Sequence, residues 1–445
     1  MKISWSLRLA LYAAITVFMG SYYDSWSTTM GLLVRMGVYE DVCTADEIAA
    51  AAASGGGPDQ VKCAAQQVKI GSLLSVFRIA EFLTSMATGV FMDLVGTKIC
   101  ILTGMTLRIL SWILLSNFPR INSLMILGCL LTGMSVNAIV FPVYTIGRYW
   151  LAYQDIAMCV ISVFLSVGCF YSLIVNLVLD MMPSVNMGAF IAVKLAITHL
   201  PMLAIAAFIF PNNMVKDIEE NLTDSMAAKN QEKNVQEEVD DNNSWNVKTF
   251  MTYVINSEVI VITGFFILNC VSLTFAQETF TQVYANNKTA ERVNSILVPL
   301  SSLFSFILMW VINKFGSGVV IFGLNIVSIA MHFCLLSSST TASIFASFFI
   351  SVTFSGFITF FFIYVEKIVD IKYSGSIKGY LTTIAGLSLV VNPALNMLIE
   401  TYNAMTGCQL TFVVLRVLSI APLFWLLKKE RNRMLKTEPS LEMTV

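Results

Sequence analysis

Apolar runs of about 20 or more residues recur along this chain, separated by short polar turns, and few folds tolerate that pattern. Read with a window of about 19 residues, the runs fall near 8–36, 68–92, 98–117, 122–147, 156–180 and 187–210, then 257–284, 294–313, 318–338, 342–365, 376–400 and 409–427. Backbone polar groups in lipid are satisfied only in helices or closed barrels. A barrel would be written in alternating segments of about ten residues, so the pattern predicts an all-α membrane protein with twelve transmembrane helices. Only 12% of the residues are charged and 56% are hydrophobic, against about 25% charged in soluble chains.

The segment PNNMVKDIEENLTDSMAAKNQEKNVQEEVDDNNSW, residues 211–245, is the one long polar interruption and holds nine acidic residues and three lysines. It reads as a solvated linker and divides the chain six spans plus six. The expected organisation is an N-terminal six-helix bundle (1–211), an acidic cytosolic linker (212–247), a C-terminal six-helix bundle (248–427) and a basic cytosolic tail (428–445). With both termini and the linker in the cytosol, 17 Lys and Arg residues lie on that side and six on the other, the bias that orients membrane proteins. The plasma membrane is the expected location. The first apolar block is too long for a cleavable signal, and no small-residue cleavage site follows it.

A net charge of −1 identifies no partner. No basic tract suggests nucleic acid, and no Cys/His spacing suggests a metal site or other cofactor. Seven of the nine cysteines read as small apolar residues. Cys43 and Cys63 instead flank a polar, Ala/Gly-rich segment, and a bridge between them would close a loop if it faces an oxidising compartment. Spacing alone leaves that pairing open.

The turn after the second span reads GVFMDLVGTKICI, with Gly89, Asp93, Gly96 and Lys98; the turn after the eighth reads MWVINKFGSGVVI. A shift of 220 residues superposes Asp93 on Asn313 and Gly96 on Gly316. Two pseudo-symmetric six-helix bundles joined by a linker form the architecture of many secondary transporters. Gly96 permits the tight turn, and Asp93 is placed to accept hydrogen bonds from the orphan N–H groups where the third span begins. Contacts of that kind, broken and remade, would gate the two states.

G-x-x-x-D-x-x-G-x-[KR] resembles the signature loop of the major facilitator superfamily, with Leu94 and Thr97 where that loop usually carries basic residues. The run CAAQQVKIGSLLSVFRIAEFLTSMATGVFMDLVGTK (63–98) is similar to the same region of sodium-independent large-neutral-amino-acid transporters and their apicomplexan relatives, as are 257–287 and 374–393. The resemblance implies a neutral or cationic amino acid as substrate, and a cavity lined by spans 1, 4, 7 and 10.

Charges inside spans are costly, about 2.5–3.5 kcal/mol each on insertion scales, so those present need an explanation. Asp24 has no obvious partner within its own span, and Tyr22, Tyr23, Trp26, Ser27 and Thr28 give it aromatic and hydroxyl neighbours. Arg78 and Glu81 stand at i,i+3 and can touch. They are either a self-neutralising structural pair or a substrate site. In the second case Arg78 binds a carboxylate through its fork, and Asp24 or Glu81 takes an ammonium or a proton. Asn137 and Tyr144 in the fourth span and Ser355 and Thr359 in the tenth are candidate cavity linings. Arg108 reads as structural, paired with a carboxylate elsewhere; Lys194 and Arg416 are within snorkelling reach of an interface; His199 reads as a hydrogen-bonded interior histidine. Glu278 is a candidate outer-gate residue.

The function these features support is secondary transport of amino acids by alternating access. The same fold carrying an organic anion, a sugar or another metabolite is the alternative, followed by a non-transporting receptor that signals through the linker. No arrangement in the sequence suggests an enzyme.

Overall fold

The computed structural model describes residues 4–20, 26–53, 62–149, 154–182, 185–211, 245–284, 287–297, 300–356, 359–402 and 404–437. Among them every regular element is helical. The chain groups into two compact units. Unit 1 is Met1–Gln154, Val167–Met251 and Asp370–Tyr380; unit 2 is Asp155–Ser166, Thr252–Val369 and Leu381–Val445.

The helices are α1 (Trp5–Met19), α2 (Trp26–Arg35), α3 (Ala45–Ala53), α4 (Ala64–Val95), α5 (Thr97–Asn117), α6 (Asn122–Tyr144), α7 (Gln154–Met181), α8 (Met187–Lys194) and α9 (Leu200–Ile209). After the linker come α10 (Val247–Ile255), α11 (Ser257–Val283), α12 (Lys288–Leu297), α13 (Ser301–Phe315), α14 (Ser317–Cys334), α15 (Thr340–Gly356) and α16 (Thr359–Ile368). The last four are α17 (Ser374–Ser388), α18 (Val391–Tyr402), α19 (Met405–Leu418) and α20 (Ile420–Thr437). α20 carries the basic residues of the expected tail as far as Thr437 in helical form.

Nine helical stretches among the described residues are long and apolar enough to cross a membrane, and each overlaps one of the expected spans. At the first, fifth and eighth expected spans the apolar helices are shorter: Ser6–Met19, Ile156–Gly168 and Phe304–Phe315. The run read as one span at 8–36 is described as two helices, α1 and α2, on either side of residues 21–25.

Local sequence accounts for many boundaries. Thr44 and Glu47 form a capping box at α3: the Thr44 N–H donates to Glu47 Oε2 at 2.9 Å and the Glu47 N–H to Thr44 Oγ1 at 3.3 Å. Those bonds, the backbone one foremost, hold the Glu47 carboxyl below its usual range. Asn186 caps α8 through the Ala189 N–H, and Asn256 caps α11 through the Glu258 N–H. Leu195–His199 is a π-helical turn between α8 and α9, just ahead of Pro201, which has no N–H for the regular ladder.

Gly96 ends α4 and starts α5 at φ 92° and ψ 162°; Gly316 ends α13 and starts α14 at φ 89° and ψ 166°. The two turns 220 residues apart thus share a backbone conformation that side chains other than hydrogen disfavour. Inside unit 1, α4, α5 and α6 meet through small residues: a Cβ on Gly133 would stand 2.3 Å from the Phe77 carbonyl oxygen, and one on Gly104 2.8 Å from Ala138 Cβ.

Cys43 and Cys63 are bonded to one another, with Cα atoms 5.7 Å apart and 20 residues of separation. Gln66 Nε2 donates to the Val38 carbonyl at 2.9 Å, so the loop is tied at a second point to the start of α4. A loop of 20 residues corresponds to about 3 kcal/mol in the chain-entropy account. The Cys43→Ser/Cys63→Ser double variant is therefore expected to melt several degrees below wild type, a gap that a reductant abolishes. Equal midpoints under oxidising conditions would contradict the prediction.

Candidate functional site

In α4 the Arg78 guanidinium lies 3.8 Å from the Glu81 carboxylate. The Arg78 side chain is 34% exposed and the Glu81 side chain 7%, so one partner of the pair is open and the other enclosed. Asn137 of α6 donates to the Glu81 carbonyl at 3.0 Å and to Ser85 Oγ at 2.6 Å. Gly133, one turn earlier on α6, lets the two backbones approach closely enough for this. Asn137 thus stitches α6 to α4 directly beside the charged pair. Tyr144, at the end of α6, is buried. Asp24 and Tyr23 lie outside the described residues.

Asp93, at the other end of α4, reaches the N-terminus of α17. Its carboxylate accepts from the Gly375 N–H at 3.1 Å, the Ser376 N–H at 2.6 Å and the Ser376 hydroxyl at 2.6 Å. This corrects the expectation that Asp93 would cap the third span: the orphan N–H groups it satisfies belong to a helix 280 residues further on, within the same unit. Glycines make the approach possible. A Cβ on Gly89 would lie 2.0 Å from the Gly375 carbonyl oxygen, and one on Gly379 2.3 Å from that of Ser85. Trp245 joins from the end of the linker, its Nε1–H donating to Ser376 Oγ at 3.1 Å, while the Asn246 N–H donates to the Tyr373 hydroxyl at 3.2 Å. Lys378 interacts electrostatically with Asp93. Lys98 is half-buried beside the turn.

The corresponding turn in unit 2 is built differently. Asn313 is exposed, and α14 is capped by Glu430 of α20, which accepts from the Ser317 N–H at 3.2 Å and the Ser317 hydroxyl at 2.6 Å. Lys367 lies 3.4 Å from Glu430. Nearby Glu258 is held by Lys429 at 2.8 Å, by Arg433, and by the Tyr364 hydroxyl at 2.8 Å. A run of basic residues after the last span was the only sequence sign of this cluster. Ser355 and Thr359 are buried in unit 2: Ser355 donates to the Val352 carbonyl at 2.8 Å and Thr359 shares a hydrogen bond with Ser162. Glu278 accepts from Asn396 Nδ2 at 2.9 Å.

Two other intramembrane cations depart from expectation. Lys194 and Arg416 do not snorkel. Lys194 is buried with its ammonium 3.3 Å from the centre of the Trp112 ring. Arg416 is fully buried among neutral acceptors of α11 and α14. Both side chains are enclosed by their own unit, where aromatic, amide and hydroxyl groups take the place of water. Arg108 donates to Ser135 Oγ at 2.7 Å and to the Gly20 carbonyl at 2.8 Å. His199 is buried beside Thr198 Oγ1 at 2.7 Å. Among the described residues no three His, Cys, Asp or Glu side chains group as metal ligands do.

No family profile matches the chain. It is similar to Arginine transporter 1 of Toxoplasma gondii, at 22% identity over 96% of this chain and 88% of that protein. A second relative is Cationic amino acid transporter 8 of Plasmodium berghei, at 22% identity over 77% of this chain and 72% of that protein. Among solved structures it is similar to the human organic anion transporter MFSD10, with a TM-score of 0.61 and 16% identity over 94% of this chain and 97% of that one. The major facilitator superfamily transporter FucP, in its outward conformation, matches with a TM-score of 0.58 and 13% identity over 96% of this chain and 99% of that one. The chain is a multi-pass membrane protein with the fold these transporters share.

Proposed function

We propose that this protein is a secondary transporter of amino acids, neutral or cationic, working by alternating access and without enzymatic chemistry. The observation that carries the reading is the half-open Arg78–Glu81 pair inside α4, in a chain similar over 96% of its length to a protein named for arginine transport. Arg78, whose side chain is 34% exposed, presents its guanidinium to the substrate carboxylate. Glu81, with Asp24 and Tyr23 of the first span, receives the ammonium. Tyr144, Ser355 and Thr359 are the remaining proposed linings, and Asn137 sets the position of Glu81.

Twelve spans in two bundles (1–211 and 248–427), an acidic linker (212–247) and a basic tail (428–445), with both termini cytosolic in the plasma membrane, remain the organisation we propose. Asp93 and the Gly89, Gly96 and Lys98 turn form a clasp on the N-terminus of α17 that opens and closes during the cycle. Asn313 and Gly316 mark its counterpart. The likeness to MFSD10, an organic anion transporter, supports an organic anion as the second reading.

The pair itself gives the test. Arg78→Ala and Glu81→Ala are each expected to lower saturable amino-acid uptake at least about tenfold, the loss of one charged contact of about 1.5–3 kcal/mol, at unchanged surface abundance. The double variant is expected to stay inactive. Recovery in the double variant would instead make the two charges a purely structural pair.

A further inference from the structure

We propose that unit 2 holds a buried binding site for a small monovalent anion of the chloride class, built on Arg416 of α19 with Asn269 of α11 and Ser328 of α14. Arg416 is 0% exposed, as are Asn269 and Ser328. Its guanidinium donates to Asn269 Oδ1 at 2.9 Å, to Ser272 Oγ, to the Leu268 carbonyl at 3.5 Å and to Asn325 Oδ1 at 3.5 Å. Every one of these acceptors is neutral. Among the described residues no carboxylate pairs with Arg416, although the same unit places carboxylates against Lys367, Lys429 and Arg433. Arginine stays protonated in proteins, so a full positive charge lies inside the unit with no counter-charge, an arrangement whose desolvation is costly.

The donors for an anion are already in place. Arg416 Nε, Asn269 Nδ2 and Ser328 Oγ are buried and have no hydrogen-bond partner. Asn269 uses its oxygen on Arg416, which leaves its amide N–H groups beside the guanidinium. Asn325 grips Arg416 from α14, donating to its carbonyl at 2.9 Å, and Ser328 follows three residues later on the same helix face. The Phe265 ring stands 5.3 Å from the guanidinium carbon. A water molecule would satisfy some of these donors and leave the charge; an acceptor-only anion meets both needs.

The experiment uses the full chain in nanodiscs, melted in sodium gluconate with chloride or bromide substituted at constant ionic strength. Wild type is expected to gain several degrees, saturably with halide. Ser328→Ala is expected to raise the half-saturating halide concentration severalfold. Asn269→Asp is expected to supply the missing charge internally, melting in gluconate as high as wild type in chloride and no longer responding to halide. That variant also keeps the test decisive should Arg416→Gln fail to fold. A wild-type midpoint indifferent to halide, or an Asn269→Asp protein that responds as wild type does, would overturn the proposal. So would a shift produced by amino acids but not by halide, since the charge would then serve a substrate carboxylate.

Discussion

Asp93→Asn is expected to cut amino-acid uptake by about ten- to a hundredfold while leaving surface abundance unchanged, the equivalent of about 1.5–3 kcal/mol for a hydrogen bond to a charged group. Both carboxylate oxygens of Asp93 accept bonds at the start of α17, from two backbone N–H groups and the Ser376 hydroxyl. An asparagine keeps one oxygen and turns an N–H toward donors, so a helix N-terminus loses both its acceptor and the negative charge that suits its dipole. The closed clasp falls in population by the corresponding factor, and each cycle that passes through it slows. Ser376→Ala removes only the hydroxyl bond and leaves both backbone bonds, so its effect is expected to be several times smaller. Equal uptake by wild type and Asp93→Asn would remove the clasp from the transport cycle.

A single methyl group is expected to do as much. Gly89→Ala puts a Cβ about where the Gly375 carbonyl oxygen sits, 2.0 Å away, and backbone rather than a flexible side chain is what it meets. Overpacking of this kind costs about 1–3 kcal/mol or more, and it falls on the α4–α17 approach alone. Uptake is expected to drop at least about tenfold with a near-normal melting midpoint. Gly133→Val supplies the contrast, because its Cβ would meet the Phe77 carbonyl at 2.3 Å inside the α4–α6 packing. That variant is expected to lose thermal stability and surface expression together. Matching melting profiles for the two variants, measured on purified protein, would contradict the distinction.

How much of this was readable beforehand depended on distance along the chain. The helical membrane class followed from hydropathy alone, because lipid allows so few ways to satisfy a backbone. Gly96 and Gly316 could be matched at a spacing of 220 residues since glycine requirements at a tight turn are local. That Asp93 would accept hydrogen bonds at a helix start was equally legible, but not which helix. Nothing near it in sequence identifies Gly375 and Ser376, and a cap on the adjacent helix was the nearest available reading.

Arg416 was misjudged for a related reason. Its position near the end of an apolar run suggested an interface, but α20 continues the helical chain beyond it, and its acceptors Asn269, Ser272 and Asn325 come from helices about 90 to 150 residues away. The run at 8–36 reads as one span in a 19-residue average, and the structure describes α1 and α2 on either side of residues 21–25.

Uptake by purified wild-type protein in proteoliposomes is the most direct measurement of the central claim. Labelled arginine, lysine, leucine and phenylalanine, each with and without the same unlabelled amino acid trapped inside, would be followed beside an organic anion and a sugar. Saturable entry of at least one amino acid, accelerated by trapped substrate, is the predicted result. Entry of the anion or the sugar with no amino-acid flux would contradict it.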